Sequence, residues 1–112
     1  MQILNYINGE LIPSSSNRWI ENFNPATNQV IGKITRSNSS DIETAVEAAK
    51  NALPLWKNLT VEERAKYLLK LSTKIEDNLS ELALIETRDT GKPIHTSKNI
   101  DIPRSALNLK FF

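Results

Sequence analysis

At 112 residues the chain has the length of one ordinary domain, and a hydrophobic content of 39% is modest for filling a core. Fourteen basic and thirteen acidic residues alternate along it for a net charge of +1, which excludes the electrostatic footprint of a nucleic-acid binder or of a protein held to an anionic membrane. There is no cysteine, so disulfides, thiolate metal sites and cysteine nucleophiles are excluded together.

The opening residues, M-Q-I-L-N-Y-I-N-G-E, lack a basic region followed by an apolar stretch, and no window approaches the roughly eighteen apolar residues of a membrane span. The expectation is a cytoplasmic protein with no membrane partner. Residues 3–7 and 10–12 read as short strands around Asn8-Gly9, the strongest local cue for a hairpin. After a polar loop at residues 14–17, residues 18–23 and 29–35 read as a second two-stranded ribbon joined by the turn P-A-T-N at 25–28.

From residue 39 the period changes to that of a helix. Ser40 with Glu43 fits a capping box, and Ile42, Ala45, Val46, Ala49 and Leu53 then follow helical spacing until Pro54 ends the run. Thr60 with Glu63 repeats the capping signal, and Ala65, Leu68, Leu69, Ser72 and Ile75 mark a buried stripe opposite Glu62, Lys66, Lys70 and Lys74. Asn78 with Glu81 offers a third N-cap, and the consecutive apolar residues 82–85 predict burial on more than one side. Gly91 supplies a left-handed helix stop, Pro93 forbids continuation, and a fourth helical stretch follows. It ends on Phe111-Phe112 with no polar cap, as though more protein should follow. With no linker or repeat, residues 1–112 read as a single partial domain, a β-hairpin and ribbon over 1–35 and a helical segment over 39–112.

Few residues point to chemistry. Gly9, Gly32 and Gly91 stand too far apart to draw a phosphate-cradling loop. His95 is the sole histidine, so no histidine-based metal cluster exists, and it reads as a surface residue at a helix start. Glu86 and Asp89 share a helix face and could act as paired carboxylates, although structural roles suit them better without an enclosing cleft. Trp19 and Trp56 sit at element edges, where an indole covers core while its N–H meets water or a carbonyl. Lys92 reads as a complement to the negative end of the preceding helix rather than as a reactive amine. Sequons at Asn38, Asn58 and Asn78 lie in a chain with no signal peptide and are read as incidental.

Taken in order, Y-I-N-G-E-L at 6–11, N-P-A-T-N-Q-V-I-G at 24–32, D-I-E-T-A-V-E-A-A-K-N-A at 41–52, Trp56, E-R-A-K-Y-L-L-K-L at 63–71 and E-T-R-D-T-G-K-P at 86–93 resemble the N-terminus of an NAD(P)-dependent aldehyde dehydrogenase. The ending D-I-P-R-S-A-L-N-L-K-F-F is also similar to the branch that oxidises muconic-type semialdehydes. The resemblance implies an α/β fold, of which this chain is the opening part of the cofactor-binding domain: hairpin, ribbon, then about four helices.

The resemblance further implies that the whole enzyme oxidises an aldehyde to a carboxylic acid with NAD or NADP. The cysteine nucleophile, the oxyanion-holding asparagine, the glutamate that activates water and the dinucleotide site all lie beyond Phe112. No catalytic or cofactor-binding residue is therefore assigned here, no cofactor is expected on this chain alone, and the chain is expected to be inactive. Some relatives hold a monovalent cation with oxygens that correspond to Asn22, Phe23 and Asp89. The alternative function is a non-catalytic helical module that docks on intact subunits through apolar surface, expected around Leu68, Leu82 and the final phenylalanines.

Overall fold

The computed structural model describes all residues from Met1 to Phe112, in five strands and five α-helices. The strands are β1 (Gln2–Ile3), β2 (Asn5–Ile7), β3 (Glu10–Ile12), β4 (Trp19–Asn24) and β5 (Gln29–Thr35). The helices are α1 (Ser39–Lys57), α2 (Val61–Asp77), α3 (Leu79–Thr90), α4 (Ile94–Thr96) and α5 (Ile102–Phe111), with a π-helical turn at Ser97–Asp101 between the last two. They form two compact units, Met1–Phe23 with Val30–Asn58, and Asn24–Gln29 with Leu59–Phe112.

In the first unit β2 and β3 pair antiparallel in the register Asn5↔Ile12, Tyr6↔Leu11 and Ile7↔Glu10. Asn8 and Gly9 take φ of 52° and 84°, the double left-handed geometry of the tight turn that matches strand twist. A separate three-stranded sheet runs in the order β1-β5-β4, with β1 parallel to β5 through Gln2↔Lys33 and Ile3↔Ile34. The Lys33 N–H donates to the Met1 carbonyl at 2.9 Å. Gly32 permits that approach, because a Cβ there would lie 2.7 Å from the same oxygen.

Helix α1 is capped earlier than the sequence spacing predicts. Asn38, not Ser40, is the N-cap, and it exchanges bonds with Asp41 in a reciprocal capping box. Pro54 does not end α1; the helix carries it internally and runs on to Lys57, a last turn exposed along its length. The expected stripe is not buried either: Ile42, Val46 and Leu53 are exposed, and only Ala45 and Ala48 are partly covered. The polar Asp41 is the one buried residue of this helix, drawn in by its donors rather than by apolar packing.

In the second unit α5 packs chiefly on α2. Ser72 and Ala106 are both fully buried at that crossing, where the Ser72 hydroxyl donates to the Ala106 carbonyl at 2.9 Å. Small residues allow the close approach, and the hydrogen bond satisfies the hydroxyl it buries. Thr60 caps α2 with Glu63 as its spacing predicts. Of the predicted α2 stripe, Leu69 departs and faces solvent. In α3, Ala83 alone is fully buried while Leu84 and Ile85 are exposed, so the apolar run is covered on one side. Leu68 and Leu82, expected in water, are half-buried, whereas Phe111 and Phe112 are 82% and 87% exposed.

Across the chain the buried apolar residues are Ile7, Ala83 and Ala106, against twenty-two large apolar side chains that stay exposed. That imbalance is the chief physical fact about the structure, since a typical large apolar side chain gains about 1.5–3 kcal/mol when fully buried.

Candidate functional site

The densest polar constellation of the second unit lies where α3 ends. Gly91 caps the helix at φ 75°, and its N–H donates to the Thr87 carbonyl at 2.9 Å. A Cβ at Gly91 would stand 2.8 Å from Pro25 Cγ and 3.1 Å from the Ala26 nitrogen, so the turn that joins β4 to β5 is seated directly on this helix end. That turn is self-organised: the Asn24 side chain accepts from the Ala26 N–H at 2.9 Å, and the Asn24 carbonyl accepts from Thr27 and Asn28.

Immediately after Gly91, the Lys92 ammonium lies 2.8 Å from Glu86 Oε1 and 2.8 Å from Asp101 Oδ2. The sequence alone pairs Lys92 with the helix dipole; in the structure its charge meets two carboxylates, one from α3 and one from the π turn. Hydrogen bonds to Asp101 first and Glu86 second raise its pKa above the ordinary lysine value, against a smaller effect of burial. An ammonium so held keeps its proton, so this lysine is neither a Schiff-base amine nor a general base near neutrality. A second tie lies beside it, the Thr87 and Ser97 hydroxyls at 2.9 Å, with Ser97 fully buried.

The π turn follows from Pro103. Its ring nitrogen cannot donate to the carbonyl four residues back, and widening the preceding turn relieves the ring's clash with it. Glu86 and Asp89, which share a face by spacing, diverge: Glu86 is partly covered and paired with Lys92, while Asp89 is exposed with other interactions.

The first unit has its own hub. Asp41 accepts from the Ser14 hydroxyl at 2.5 Å, the Ser15 N–H at 2.9 Å and the Asn38 N–H at 2.9 Å. These bonds, the Ser14 hydroxyl foremost, hold its carboxyl well below the usual carboxylate range. The Ser14 N–H in turn donates to Thr35 Oγ1 at 2.7 Å, which ties the loop after β3 to the end of β5. A carboxylate with three donors and so low an affinity for protons stays ionised and offers no acid catalysis.

The remaining candidates disperse. Asn22 and Phe23 lie in β4 and Phe23 is exposed; Asp89 lies in the last turn of α3, in the other unit. His95 is exposed in α4, Trp19 is half-buried and Trp56 is 41% exposed, so neither indole is a core residue. No group of three His, Asp or Glu side chains is arranged to hold a metal ion, and no helix is long and apolar enough to cross a membrane. The hubs that sequence reasoning missed are Asp41, Ser97 and Asp101. Asp41 carried one usable signal, its place three residues after Asn38.

The comparison with known proteins is continuous along the chain. The model of the aldehyde dehydrogenase family matches residues 11–112. The chain is 38% identical over its full 112 residues to 2-aminomuconic semialdehyde dehydrogenase of Mus musculus, and 39% identical over 111 residues to 5-carboxymethyl-2-hydroxymuconate semialdehyde dehydrogenase of Escherichia coli. In each case it spans 23% of the relative's length. Among solved structures it is similar to PnpE in complex with nicotinamide adenine dinucleotide, with a TM-score of 0.96 and 36% identity over 99% of this chain and 23% of that one. HpcC from Thermus thermophilus superposes with a TM-score of 0.94 at 32% identity, over 99% of this chain and 21% of that one.

Proposed function

Because this chain belongs to the aldehyde dehydrogenase family, we propose that it supplies the N-terminal ribbon and helices of an enzyme that oxidises an aldehyde to a carboxylic acid with NAD or NADP. The observation that carries this reading is the coincidence of a likeness along nearly the whole chain with a core of three buried apolar residues. A backbone that superposes on a quarter of a larger enzyme, and leaves most of its large apolar side chains in solvent, is built to be covered by the rest of such an enzyme. The chemistry needs a thiolate to attack the carbonyl, and there is no cysteine among these residues. Neither polar hub substitutes for it, since Asp41 and Lys92 both hold the protonation states that make them inert.

The role of this part is to bring ordered helix ends to the larger scaffold, with the chain alone turning over no substrate. The names of the relatives support a semialdehyde of an unsaturated dicarboxylic acid as the substrate class. Complementation tests the proposal. Purified chain is mixed with a relative lacking its matching N-terminal quarter, and reduced nicotinamide is followed on adding NAD and a muconic-type semialdehyde. Turnover is expected from the mixture and from neither part alone. Turnover by the 112-residue chain by itself, or a mixture as inactive as its parts, would overturn it.

The exposed apolar side chains also favour a second reading, a module that docks on intact subunits without contributing to catalysis. It is supported if the chain co-elutes with an intact relative and changes its assembly, and it is lost if the two elute apart.

A further inference from the structure

Asn8 stands apart from the other asparagines in both sequence and structure. Of the twelve in the chain it alone precedes a glycine. It sits at the tip of the β2–β3 hairpin, exposed, with φ 52°. Its carboxamide makes no hydrogen bond, and the position of a Cβ on Gly9 meets no heavy atom within 4 Å. Nothing therefore hinders the Gly9 backbone nitrogen from approaching Asn8 Cγ, and nothing holds the carboxamide away from it.

We propose that Asn8 is a site of spontaneous deamidation that disables the N-terminal hairpin. The Gly9 nitrogen gives up its proton to base and attacks Asn8 Cγ. A C–N bond forms, the bond from Cγ to Nδ2 breaks, and ammonia leaves with a cyclic imide behind. Water then opens the imide at either carbonyl, giving aspartate or, with the main chain rerouted through Cβ and Cγ, isoaspartate. No electrons are gained or lost, and water is the only co-reactant.

The consequence follows from register. The hairpin depends on two residues between Ile7 and Glu10, and an isoaspartyl link adds a carbon to the main chain between those paired residues. Either product also adds a negative charge. Asn8 lines one shallow depression with Glu43 and Glu47 of α1, so the new carboxylate faces two like charges. The modification thus loosens β2 from α1 as well as from β3.

Asn38 provides an internal contrast. It precedes the small Ser39 and is the next most susceptible site by sequence, yet its side chain is engaged on both atoms. Its Nδ2 donates to Ser15 Oγ at 3.1 Å, and its Oδ1 accepts from the Asp41 N–H at 3.2 Å. The fold therefore shields Asn38 and leaves Asn8 open.

The test is to hold the full chain in mildly alkaline buffer at body temperature, with and without urea, and follow each asparagine by peptide mapping that separates aspartate from isoaspartate. In the native chain Asn8 is expected to convert several-fold faster than any other asparagine, with isoaspartate among the products. Asn38 is expected to speed up several-fold in urea while Asn8 changes little. Asn8→Gly, which keeps a turn-forming residue, is expected to abolish conversion in that peptide. Native conversion at Asn38 or elsewhere as fast as at Asn8, an Asn8 that stays intact, or an Asn38 rate indifferent to urea would overturn the proposal.

Discussion

Gly91 meets two demands that no other residue type satisfies together. Its φ of 75° is a conformation that costs an L-residue about 1–2 kcal/mol, and its α-hydrogen face touches Pro25 and Ala26. Gly91→Ala is expected to destabilise the chain by more than the handedness cost alone, because the turn at residues 25–28 must also move. Gly91→Asn separates the contributions: asparagine tolerates the left-handed region but still carries the offending Cβ. Urea melts of both variants check this, and an Asn variant as stable as the parent would show that the contact to Pro25 gives way freely. Asp41 is the residue whose charge the first unit uses most. Its folded pKa lies below that of the unfolded chain, so its contribution to stability is fully present above the ordinary carboxylate range. It is lost as pH falls through the folded value. Acidification from neutral is therefore expected to weaken the parent, whereas Asp41→Asn starts weaker and loses less over the same range. Denaturant midpoints taken across the acid limb decide the matter; parallel curves for the two proteins would remove Asp41 from the account.

At the scale of elements, local chemistry was legible and distant chemistry was not. The Asn8-Gly9 turn, the Thr60–Glu63 cap and the Gly91 stop are each specified by residues within a few positions of one another, and each is found as read. The Ser14–Asp41 bond spans 27 positions, and the Lys92–Asp101 pair depends on a π turn that only Pro103 foreshadowed. The parallel seat of β1 beside β5 had no signal at all, because two residues are too few to show a period. The helical faces misled in a specific way. The stripe of α1 has the spacing of a buried face, but the elements that would cover it are not among these 112 residues. Periodicity reports that a face is meant to be covered, not by what. One element makes a clean test of the local part: Thr60→Ala removes the hydroxyl that accepts from the Glu63 N–H at 3.2 Å, and is expected to cost about 1 kcal/mol. Far-ultraviolet circular dichroism through a thermal melt would show it, and an unchanged midpoint would mean that α5, not the cap, holds α2 in place.

For the molecule as a whole, the decisive quantity is the apolar surface left in water. Domains are stable by about 5–15 kcal/mol, so a few uncovered large side chains forgo as much as an entire fold gains. Val46, Leu53, Trp56, Leu69, Leu84, Leu107, Phe111 and Phe112 all remain more than 40% exposed. Backbone hydrogen bonding, caps and ion pairs keep the secondary structure, but three buried apolar residues supply little cooperative packing. The isolated chain is therefore expected to bind a hydrophobic dye and to melt broadly while retaining helical circular dichroism. Adding the complementary three quarters of a relative should quench the dye signal and sharpen the melt together, because one event covers both the apolar faces and the helix ends. A sharp, reversible melt of the chain alone with no dye bound would mean that these faces find enough cover in this polypeptide, and the case for a larger scaffold around them would fall.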